Sequence, residues 1–408
     1  MERTYCRLTV SPKAEKSVRG GHPWVYGEEV TEVSGSYANG DLVDVFTQKG
    51  KWLGTGFVND RSKIRVRLLS DNPNDKFDEA FWERRLRYAV SYRHTVMGED
   101  FSCCRLVFGE ADQLPGLTVD KFGDILVTEC LCYGMEQRKE MLFRLLVRLL
   151  ETEFDCPVRA LYERNESAIR TLEGLETGKG FFPMEGLSQE LSGKTEITEN
   201  GIRYEVDYAG GQKTGFFLDQ KYNRQAVARL AKGRKVLDCF THTGAFALNA
   251  AAAGAEKVTA VDVSADALEL ARANAVRNGL EGRMEFLRAD VFDLLTDLKK
   301  NGGSDYDFII LDPPAFTKSS KTVRNAYNGY KEINCKAMRL LPRGGYLATC
   351  SCSHFMKDDL FRAMLEEAAA DASVRLRQIE GRQQSPDHPI LWRVPETFYL
   401  KFYLFQVI

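Results

Sequence analysis

The feature that most constrains the fold is a series of apolar segments between residues 236 and 312, three of which end in an aspartate. The first segment leads instead into a tight turn at Thr243-Gly244. The three acids that end the later segments are Asp262, Asp290 and Asp312. Helical stretches separate the segments, and this alternation predicts a doubly wound, Rossmann-like α/β sheet. In such sheets, ligands bind beyond the carboxyl ends of the strands, where the strand order reverses.

The positions of the acids indicate what this edge of the sheet binds. An acid after the second strand can accept hydrogen bonds from ribose hydroxyls, and one after the third can meet an adenine amino group. Aspartates also end strands as turn and cap residues, but three in succession favour a cofactor site. The G-x-G-x-x-G fingerprint of dinucleotide folds is absent, since only Gly244 stands in the turn. A pyrophosphate needs several glycines and a methionine sulfonium does not, so the pattern predicts S-adenosylmethionine.

Length and composition exclude several classes of protein. A chain of 408 residues is too long for one core and predicts two or three domains. No apolar run reaches the roughly 18 residues of a membrane span, and the first residues form no apolar signal region. We therefore expect a cytoplasmic protein with no membrane partner. The ten cysteines show no zinc-ligand spacing, so no metal site is expected.

Three regions follow one another along the chain. Residues 1–73 read as all-β, and the cations at 61, 63, 65 and 67 fall on one strand face, either solvated or in contact with phosphates. Residues 74–190 form a predicted α+β domain, with helices over 78–96 and 136–154. Residues 191–408 begin with a hairpin that turns at Asn200-Gly201, after which strands and helices alternate to the C-terminus.

Two further motifs carry chemistry. A strand predicted from residue 344 onward ends at Cys350 and Cys352, on one side if it extends that far. A thiolate at Cys352 could add to carbon 6 of a pyrimidine and make carbon 5 nucleophilic, although cysteines in strands are usually packing residues. Asp312-Pro-Pro-Ala-Phe316 could instead bind an amino group that is itself methylated. The residues alone leave both reactions open.

The chain resembles the ribosomal RNA large subunit methyltransferase I family over nearly its whole length. The segments that carry the resemblance are Gly21-His-Pro-Trp24, Gly40-Asp-Leu-Val-Asp-Val45, Glu110-Ala-Asp-Gln-Leu-Pro-Gly-Leu-Thr-Val-Asp120, Glu163-Arg-Asn-Glu166, Gln212-Lys-Thr-Gly-Phe-Phe-Leu-Asp-Gln220, Phe240-Thr-His-Thr-Gly-Ala-Phe246, Gly329-Tyr-Lys-Glu-Ile-Asn334 and Ser351-Cys-Ser353. The resemblance implies an N-terminal PUA RNA-binding domain, a central domain and a class I methyltransferase domain. It also implies 5-methylcytosine formation in 23S rRNA, free or in a large-subunit precursor.

The resemblance assigns roles residue by residue. It implies that Cys352 is the nucleophile, and we expect Asp312 to hold the cytosine amino edge. Ala315 and Phe316 stand where many related enzymes have a second cysteine, so the base that removes the carbon 5 proton is unassigned. Cys350 receives no role. The residues expected to touch the base are Pro313, Pro314 and Phe316.

The cofactor site is expected to combine the strand ends with the loop before them. The residues predicted to bind S-adenosylmethionine are Gln212, Phe217, Thr243, Gly244, Asp262 and Asp290. His242 receives no role. Relatives suggest a homodimer. The alternatives are a nucleic-acid methyltransferase that acts on amines through Asp312-Pro-Pro, and a non-catalytic RNA-binding assembly factor with a vestigial cofactor fold.

Overall fold

The computed structural model describes residues 4–317 and 319–408. They fall into two compact units. The first unit comprises the described chain up to Glu196, Val206–Leu218 and Pro386–Thr397. The second comprises Ile197–Glu205, Asp219–Ser385 and Phe398–Ile408. The first three residues of the predicted N-terminal module lie outside the described residues, and the boundaries at 73 and 190 remain predictions.

The first unit opens with a six-stranded sheet. Its strands are β1 Cys6–Val10, β2 Trp24–Tyr26, β3 Val30–Ser34, β4 Leu42–Thr47, β5 Trp52–Val58 and β6 Ile64–Ser70. They are ordered β2-β6-β5-β4-β1-β3, and only β1 and β4 pair in parallel. Alternating side chains such as Leu8, Val45 and Val66 fill one core.

A helix corrects the all-β prediction for this region. Helix α1, Pro12–Arg19, begins at Ser11, whose hydroxyl accepts a hydrogen bond from the Ala14 amide. Proline suits the first turn because it lacks the amide hydrogen that would be unsatisfied there. Ala14 is fully buried in the same core as the sheet, so one helical turn is enough to anchor α1.

The predicted cationic face of β6 is interrupted. Arg67 is buried and forms ion pairs of 2.7 Å with Glu110 and 3.1 Å with Glu173. Neither a solvated nor a phosphate-contacting role therefore fits Arg67. Arg65 pairs with Asp60. The cations at 61 and 63 precede β6, which begins at Ile64, so only Arg65 and Arg67 belong to the strand. Arg65 pairs with a nearby acid, whereas the partners of Arg67 come from distant parts of the chain.

The rest of the first unit is α+β. Its elements are α2 Glu79–Met97, β7 Cys103–Phe108, β8 Leu117–Phe122, β9 Ile125–Cys130, α3 Tyr133–Glu136, α4 Lys139–Glu153, β10 Ala160–Asn165, α5 Ile169–Glu173 and β11 Gly178–Phe181. The strands form a sheet in the order β11-β10-β9-β8-β7. The single helix predicted over 136–154 is wrong at its start, because a turn at residues 137–138 separates α3 from α4. In this turn the side chain of Arg138 donates to the carbonyls of Gly40 and Gly134.

A hairpin follows, as predicted. Its strands are β12 Lys194–Glu199 and β13 Ile202–Asp207. Asn200 and Gly201 have φ angles of 55° and 76°. Two successive positive φ angles are what a type I′ turn requires, and Asn-Gly is the residue pair that adopts them most readily.

The second unit contains a seven-stranded sheet. Its strands are β14 Lys235–Cys239, β15 Lys257–Asp262, β16 Met284–Arg288, β17 Phe308–Leu311, β18 Tyr346–Ser351, β19 Leu376–Arg382 and β20 Lys401–Val407. Its helices are α6 Lys221–Ala231, α7 Ala245–Ala252, α8 Ala265–Arg277, α9 Val291–Lys300, α10 Val323–Leu340 and α11 Asp358–Asp371. Helices α6 to α8 pack in one group and α9 to α11 in another.

The strand order confirms the doubly wound prediction. The order is β16-β15-β14-β17-β18-β20-β19, and the first five of these strands run parallel. The predicted alternation to the C-terminus is wrong for the last two strands, because β19 and β20 pair directly and antiparallel. The order reverses between β14 and β17, so a ligand site is expected where these two strands end. No helix among the described residues has both the length and the apolar character needed to cross a membrane.

Candidate active site

The turn after β14 has an unusual backbone. Phe240, His242 and Gly244 all have positive φ angles, of 64°, 51° and 81°. Such angles are uncommon for residues with a side chain and occur where the surrounding structure enforces them. The amide of Gly244 closes the turn by donating a 2.9 Å hydrogen bond to the carbonyl of Thr241. Thr243 is buried. The predicted turn thus lies at the point where the strand order reverses.

Asp238 holds this turn together and was not predicted as a site residue. Its Oδ2 accepts hydrogen bonds from the Thr241 hydroxyl at 2.5 Å and the Ala247 amide at 3.0 Å. Its Oδ1 is buried and has no hydrogen-bond partner among the described residues. Burial, together with the charge of Asp312, raises the pKa of Asp238 to about 7. An acid inside an otherwise apolar strand was the sequence signal for this role.

Asp262 ends β15, as predicted, and its carboxylate is fixed by the backbone. Its Oδ2 accepts from the His242 amide and its Oδ1 from the Ser264 amide, both at 2.9 Å. A carboxylate oxygen can accept a second hydrogen bond, so this group can also accept from two neighbouring hydroxyls. The carboxylate therefore suits the two hydroxyl groups of a ribose. His242 contributes its backbone amide to this arrangement.

Asp290 lies elsewhere than predicted, because β16 ends at Arg288. Asp290 caps helix α9, and its Oδ1 accepts from the amides of Phe292 at 2.8 Å and Asp293 at 3.3 Å. This is the ordinary role of an aspartate before a helix. The side chain is exposed, and a second role toward adenine stays a prediction.

Two predicted cofactor residues belong to the first unit. Gln212 and Phe217 lie in Val206–Leu218. The carbonyl of Gln212 accepts a 2.8 Å hydrogen bond from the Gly215 amide, and the Lys213 ammonium lies 4.5 Å from the centre of the Phe217 ring. Their role at the cofactor site stays a prediction.

Asp312 is held by a network that the sequence did not reveal. Its Oδ1 accepts a 3.0 Å hydrogen bond from the side-chain amide of Gln220, which in turn accepts one of 2.6 Å from Asn223. The Cys350 thiol interacts with this carboxylate and helps to lower its pKa. Burial, followed by the charge of Asp219, raises the pKa of Asp312 to about 6. The carboxylate is therefore held in place by Gln220, and it loses its proton at a higher pH than an ordinary aspartate does.

The two cysteines occupy different environments. Cys350 lies within β18 and is fully buried, and burial raises the pKa of its thiol well above the ordinary value. Strand β18 ends at Ser351, so the prediction that it continues to Cys352 is wrong. Cys352 is partly exposed, and its Sγ lies 4.0 Å from the carbonyl oxygen of Pro313. The structure thus brings Cys352 to the motif that follows Asp312.

Lys401 is a buried cation near Cys352 that the sequence analysis missed. Its ammonium donates hydrogen bonds of 2.8 Å to the carbonyls of Ser353 and Tyr399. Burial lowers the pKa of Lys401 to about 8, and the negative charge of Cys352 opposes that change. Opposite charges at short distance stabilise each other, so Lys401 favours the thiolate form of its neighbour. A lone lysine in the apolar segment 400–405 was the available signal.

The residues after Asp312 form a packed loop. Pro313 is buried and Pro314 is exposed. The ring of Phe316 lies 4.5 Å from the ring of Tyr330, measured between centroids, and is half-buried against the core. The Tyr330 hydroxyl lies 2.8 Å from Oγ of Ser353, next to Cys352. Packing of Phe316 against a substrate base stays a prediction.

Comparisons with known proteins agree with this geometry. A family model for S-adenosylmethionine-dependent methyltransferases matches residues 177–405, and one for PUA-like domains matches residues 8–71. A Ribosomal RNA large subunit methyltransferase I from Klebsiella pneumoniae is 39% identical over 405 residues, which is 98% of each chain. One from Escherichia coli O157:H7 is 38% identical over 404 residues, 98% of this chain and 99% of the other.

The chain belongs to the ribosomal RNA large subunit methyltransferase I family. This confirms the resemblance inferred from the motifs, together with the PUA-like and methyltransferase domains. A solved chain described as a SAM-dependent methyltransferase from Streptococcus mutans has the same fold, with a TM-score of 0.81 and 22% identity over 98% of this chain and 99% of that one. A second chain with the same TM-score, identity and coverage is described as a methyltransferase complexed with SAH. As a member of the family, the chain is an S-adenosylmethionine-dependent methyltransferase.

Proposed function

We propose that the enzyme methylates carbon 5 of a cytosine in 23S rRNA through a covalent bond to Cys352. The observation that carries this proposal is the exposure of Cys352 beside Pro313, at the carboxyl edge of the sheet, while Cys350 is buried. Either cysteine could in principle be the nucleophile. Because Cys350 is buried, only Cys352 can meet a substrate. The names of the relatives support large-subunit rRNA as the substrate. That substrate would place the enzyme in the cytoplasm.

The proposed reaction begins at Cys352. Its thiolate forms a bond to carbon 6 of the cytosine, and the electron pair of the 5,6 double bond moves to carbon 5. Bound S-adenosylmethionine supplies the electrophilic methyl group that carbon 5 accepts. A base then removes the proton from carbon 5, the double bond re-forms and the thiolate leaves. Because the thiolate is regenerated, Cys352 is unchanged after each cycle.

Asp312 is proposed to orient the base. An ionised carboxylate accepts a hydrogen bond from the exocyclic amine of cytosine, and uracil has no such donor at that position. The hydrogen bond from Gln220 fixes the carboxylate before the base arrives. A flipped or single-stranded cytosine is required, because carbon 6 is inaccessible within a stacked helix. The prolines after Asp312 and the ring of Phe316 are proposed to line this pocket.

The cofactor is proposed to bind along the ends of β14, β15 and β16. The chain's own features that suit it are the strained turn at 240–244 and the fixed carboxylate of Asp262. The residues proposed to hold it are Gln212, Phe217, Thr243, Gly244, Asp262 and Asp290. A homodimer, suggested by the family, would be tested by measuring the mass in solution.

The second candidate is methylation of an exocyclic amine. It is favoured by the same carboxylate, because Asp312 precedes Pro313 and Pro314 at the edge where the donor is expected. That reaction needs no thiol, so its rate would be indifferent to Cys352. A non-catalytic assembly factor would bind RNA without turnover.

The deciding experiment uses tritiated S-adenosylmethionine and 23S rRNA that lacks its native methylations, followed by nucleoside analysis. Label in 5-methylcytidine, lost in Cys352→Ala and retained in Cys350→Ala, supports the proposal. Label in a methylated purine would overturn it. RNA that contains 5-fluorocytidine provides an independent test. Fluorine cannot leave carbon 5 as a cation, so the adduct should persist in the wild type and be absent in Cys352→Ala.

A further inference from the structure

Trp392 is far more exposed than a tryptophan usually is. Its exposed fraction is 95%, the highest of the exposed large hydrophobic side chains that the structure describes. Trp82, by contrast, is buried. Tryptophan is among the most buried residues on average, because its ring carries a large apolar area. Within the described residues, Trp392 makes no hydrogen bond or ring contact. An exposed ring of this size requires an explanation.

The exposure is not that of a loose end. Trp392 and Arg393 are the two corner residues of a turn in which the Val394 amide donates a 2.8 Å hydrogen bond to the Leu391 carbonyl. Thr397 braces the turn, since its hydroxyl accepts from the Leu391 amide at 2.9 Å and donates to the Val394 carbonyl at 2.7 Å. Val394 is fully buried. The ring is therefore presented by an ordered turn and loses little freedom when a partner binds.

The segment that carries the turn, Pro386–Thr397, is here called the strap. It is anchored at its start by Asp387, which is buried and accepts a 2.8 Å hydrogen bond from the Arg105 amide. The buried guanidinium of Arg93 donates a 3.0 Å bond to the Asp387 carbonyl. At its other end, Glu396 pairs with His22 at 3.2 Å. The strap is thus tied to both the central sheet and the PUA-like domain of the first unit.

The strap lies against the end of α1. A Cβ built on Gly21 would come within 3.0 Å of the Cβ of Arg393, so these two backbones are in close contact. The acids here are engaged, since Glu15 pairs with Arg19 and Glu396 with His22. Among the described residues, Lys16 and Arg393 are exposed and have no ion-pair partner. On α1 and the strap, the exposed charged side chains without an ion pair are therefore cationic, while the exposed acid Asp71 lines the cleft beside the turn.

A cleft opens beside the turn. Its volume is about 460 Å³, and its lining includes Leu391 of the strap and Arg19 at the end of α1. The acids Asp71 and Glu110 also line it, and Glu110 is paired with Arg67. This volume lies within the range of pockets that hold small organic groups. An exposed ring, unpaired cations and a cleft of this size therefore share one surface of the first unit.

We propose that Trp392 is a stacking platform for an unpaired nucleobase of the RNA substrate, with Arg393 and Lys16 contacting the flanking phosphates. The proposal rests on the proposed function, because it assumes that RNA is the substrate. Single strands are bound by aromatic rings that stack on bases within a positively charged groove. Arg393, the neighbour of Trp392 in the turn, is exposed and supplies a positive charge that suits a phosphate beside a stacked base.

The test compares Trp392→Ala and Trp392→Phe with Leu172→Ala, which removes another exposed apolar side chain of the same unit. Because Trp392 makes few contacts, its variants should melt as the wild type does. Trp392→Ala should raise KM for rRNA about tenfold, the lower part of the range measured for removing a stacking ring. Its kcat should stay within about twofold, and Trp392→Phe and Leu172→Ala should resemble the wild type. An unchanged KM in Trp392→Ala would overturn the proposal.

Fluorescence gives a readout that does not depend on catalysis. An unstructured RNA of about 12 nucleotides should quench the wild-type emission, and Trp392→Phe should lose that quenching. Equal quenching in both proteins would contradict stacking on Trp392. If the wild type shows the quenching but methylates no cytosine, the proposed function fails while the stacking site stands. If Trp392→Ala changes self-association but neither KM nor quenching, the surface binds protein and the proposal is wrong.

Discussion

The side-chain amide of Gln220 donates a 3.0 Å hydrogen bond to Oδ1 of Asp312. The two residues are 92 positions apart in the chain, and Asn223 of α6 donates a hydrogen bond to Gln220, which directly precedes that helix. The bond stabilises the ionised carboxylate and so lowers the pKa of Asp312, but burial and the charge of Asp219 outweigh it. The resulting pKa of about 6 lies close to the pH at which the enzyme would be expected to work.

The first prediction concerns pH. If ionised Asp312 holds the cytosine amine, kcat/KM should rise as the pH increases through about 6, and Asp312 should contribute no further rise at higher pH. Gln220→Met removes a hydrogen bond that lowers this pKa, so the rise should move to higher pH. Gln225→Met, on the same helix, is the matched control. A profile that is identical in Gln220→Met and the wild type would argue against the assignment.

The second prediction separates the cysteines. Cys352→Ala should reduce methyl transfer at least about a thousandfold, because the nucleophile is lost, and should leave S-adenosylmethionine affinity within about threefold. Cys350→Ala removes only a buried thiol near Asp312 and should reduce turnover about tenfold at most. Methyl-transfer assays and calorimetric titration with the cofactor provide the two measurements. If Cys350→Ala lost more activity than Cys352→Ala, the nucleophile would be Cys350 in β18.

The third prediction concerns Lys401, which we regard as a positioning residue. Lys401→Met removes a buried cation beside Cys352 and should slow alkylation of that thiol by iodoacetamide about tenfold at neutral pH. Methyl transfer should fall in parallel. Lys331→Met, at a cation paired with Glu367 and Asp371, is the control for loss of charge. Equal alkylation rates in Lys401→Met and the wild type would contradict an electrostatic role.

The fourth prediction separates a helix cap from a cofactor contact. Asp290→Ala should lower the free energy of unfolding by about 1 kcal/mol, and Asp290→Ser should restore it because serine also caps helices. If Asp290 contacts adenine as well, Asp290→Ser should still bind S-adenosylmethionine more weakly. Asp262→Asn should weaken cofactor binding about tenfold or more, since an amide replaces one of the acceptor oxygens. Thermal denaturation and calorimetric titration measure the two effects separately.

The fifth prediction concerns stability and Asp238. Burial raises its pKa to about 7, so the folded protein holds this proton more tightly than the unfolded chain does. The stabilisation is present at low pH and is lost as the pH rises from about 4 to about 7. Asp238→Asn, which carries no ionisable group here, should therefore gain stability relative to the wild type between pH 5 and pH 8. A constant difference between the two melting temperatures would contradict the shift.

Local chemistry explains which parts could be read from the sequence. The strands at 236–239 and 257–262 and the Asn200-Gly201 turn follow from apolar runs and turn residues that act within a few positions. The end of β16 could not be predicted, because Asp290 suits a strand end and a helix cap equally well. Helix α1 was not predicted because it has only eight residues and lies between strands, so its apolar period is too short to stand out.

The sequence by itself determined the doubly wound sheet, the family and the order of the motifs, since these depend on the period of apolar residues and on short segments. Only the tertiary structure decided which cysteine is accessible and which groups surround it. Gln220 and Lys401 act through contacts with distant residues, and Asp238 acts through burial and through hydrogen bonds within its own turn. Burial is set by packing across the whole unit, and no local pattern in the sequence reveals it. The loss of solvent that shifts the pKa values of Asp238, Asp312 and Lys401 therefore becomes visible only in the structure.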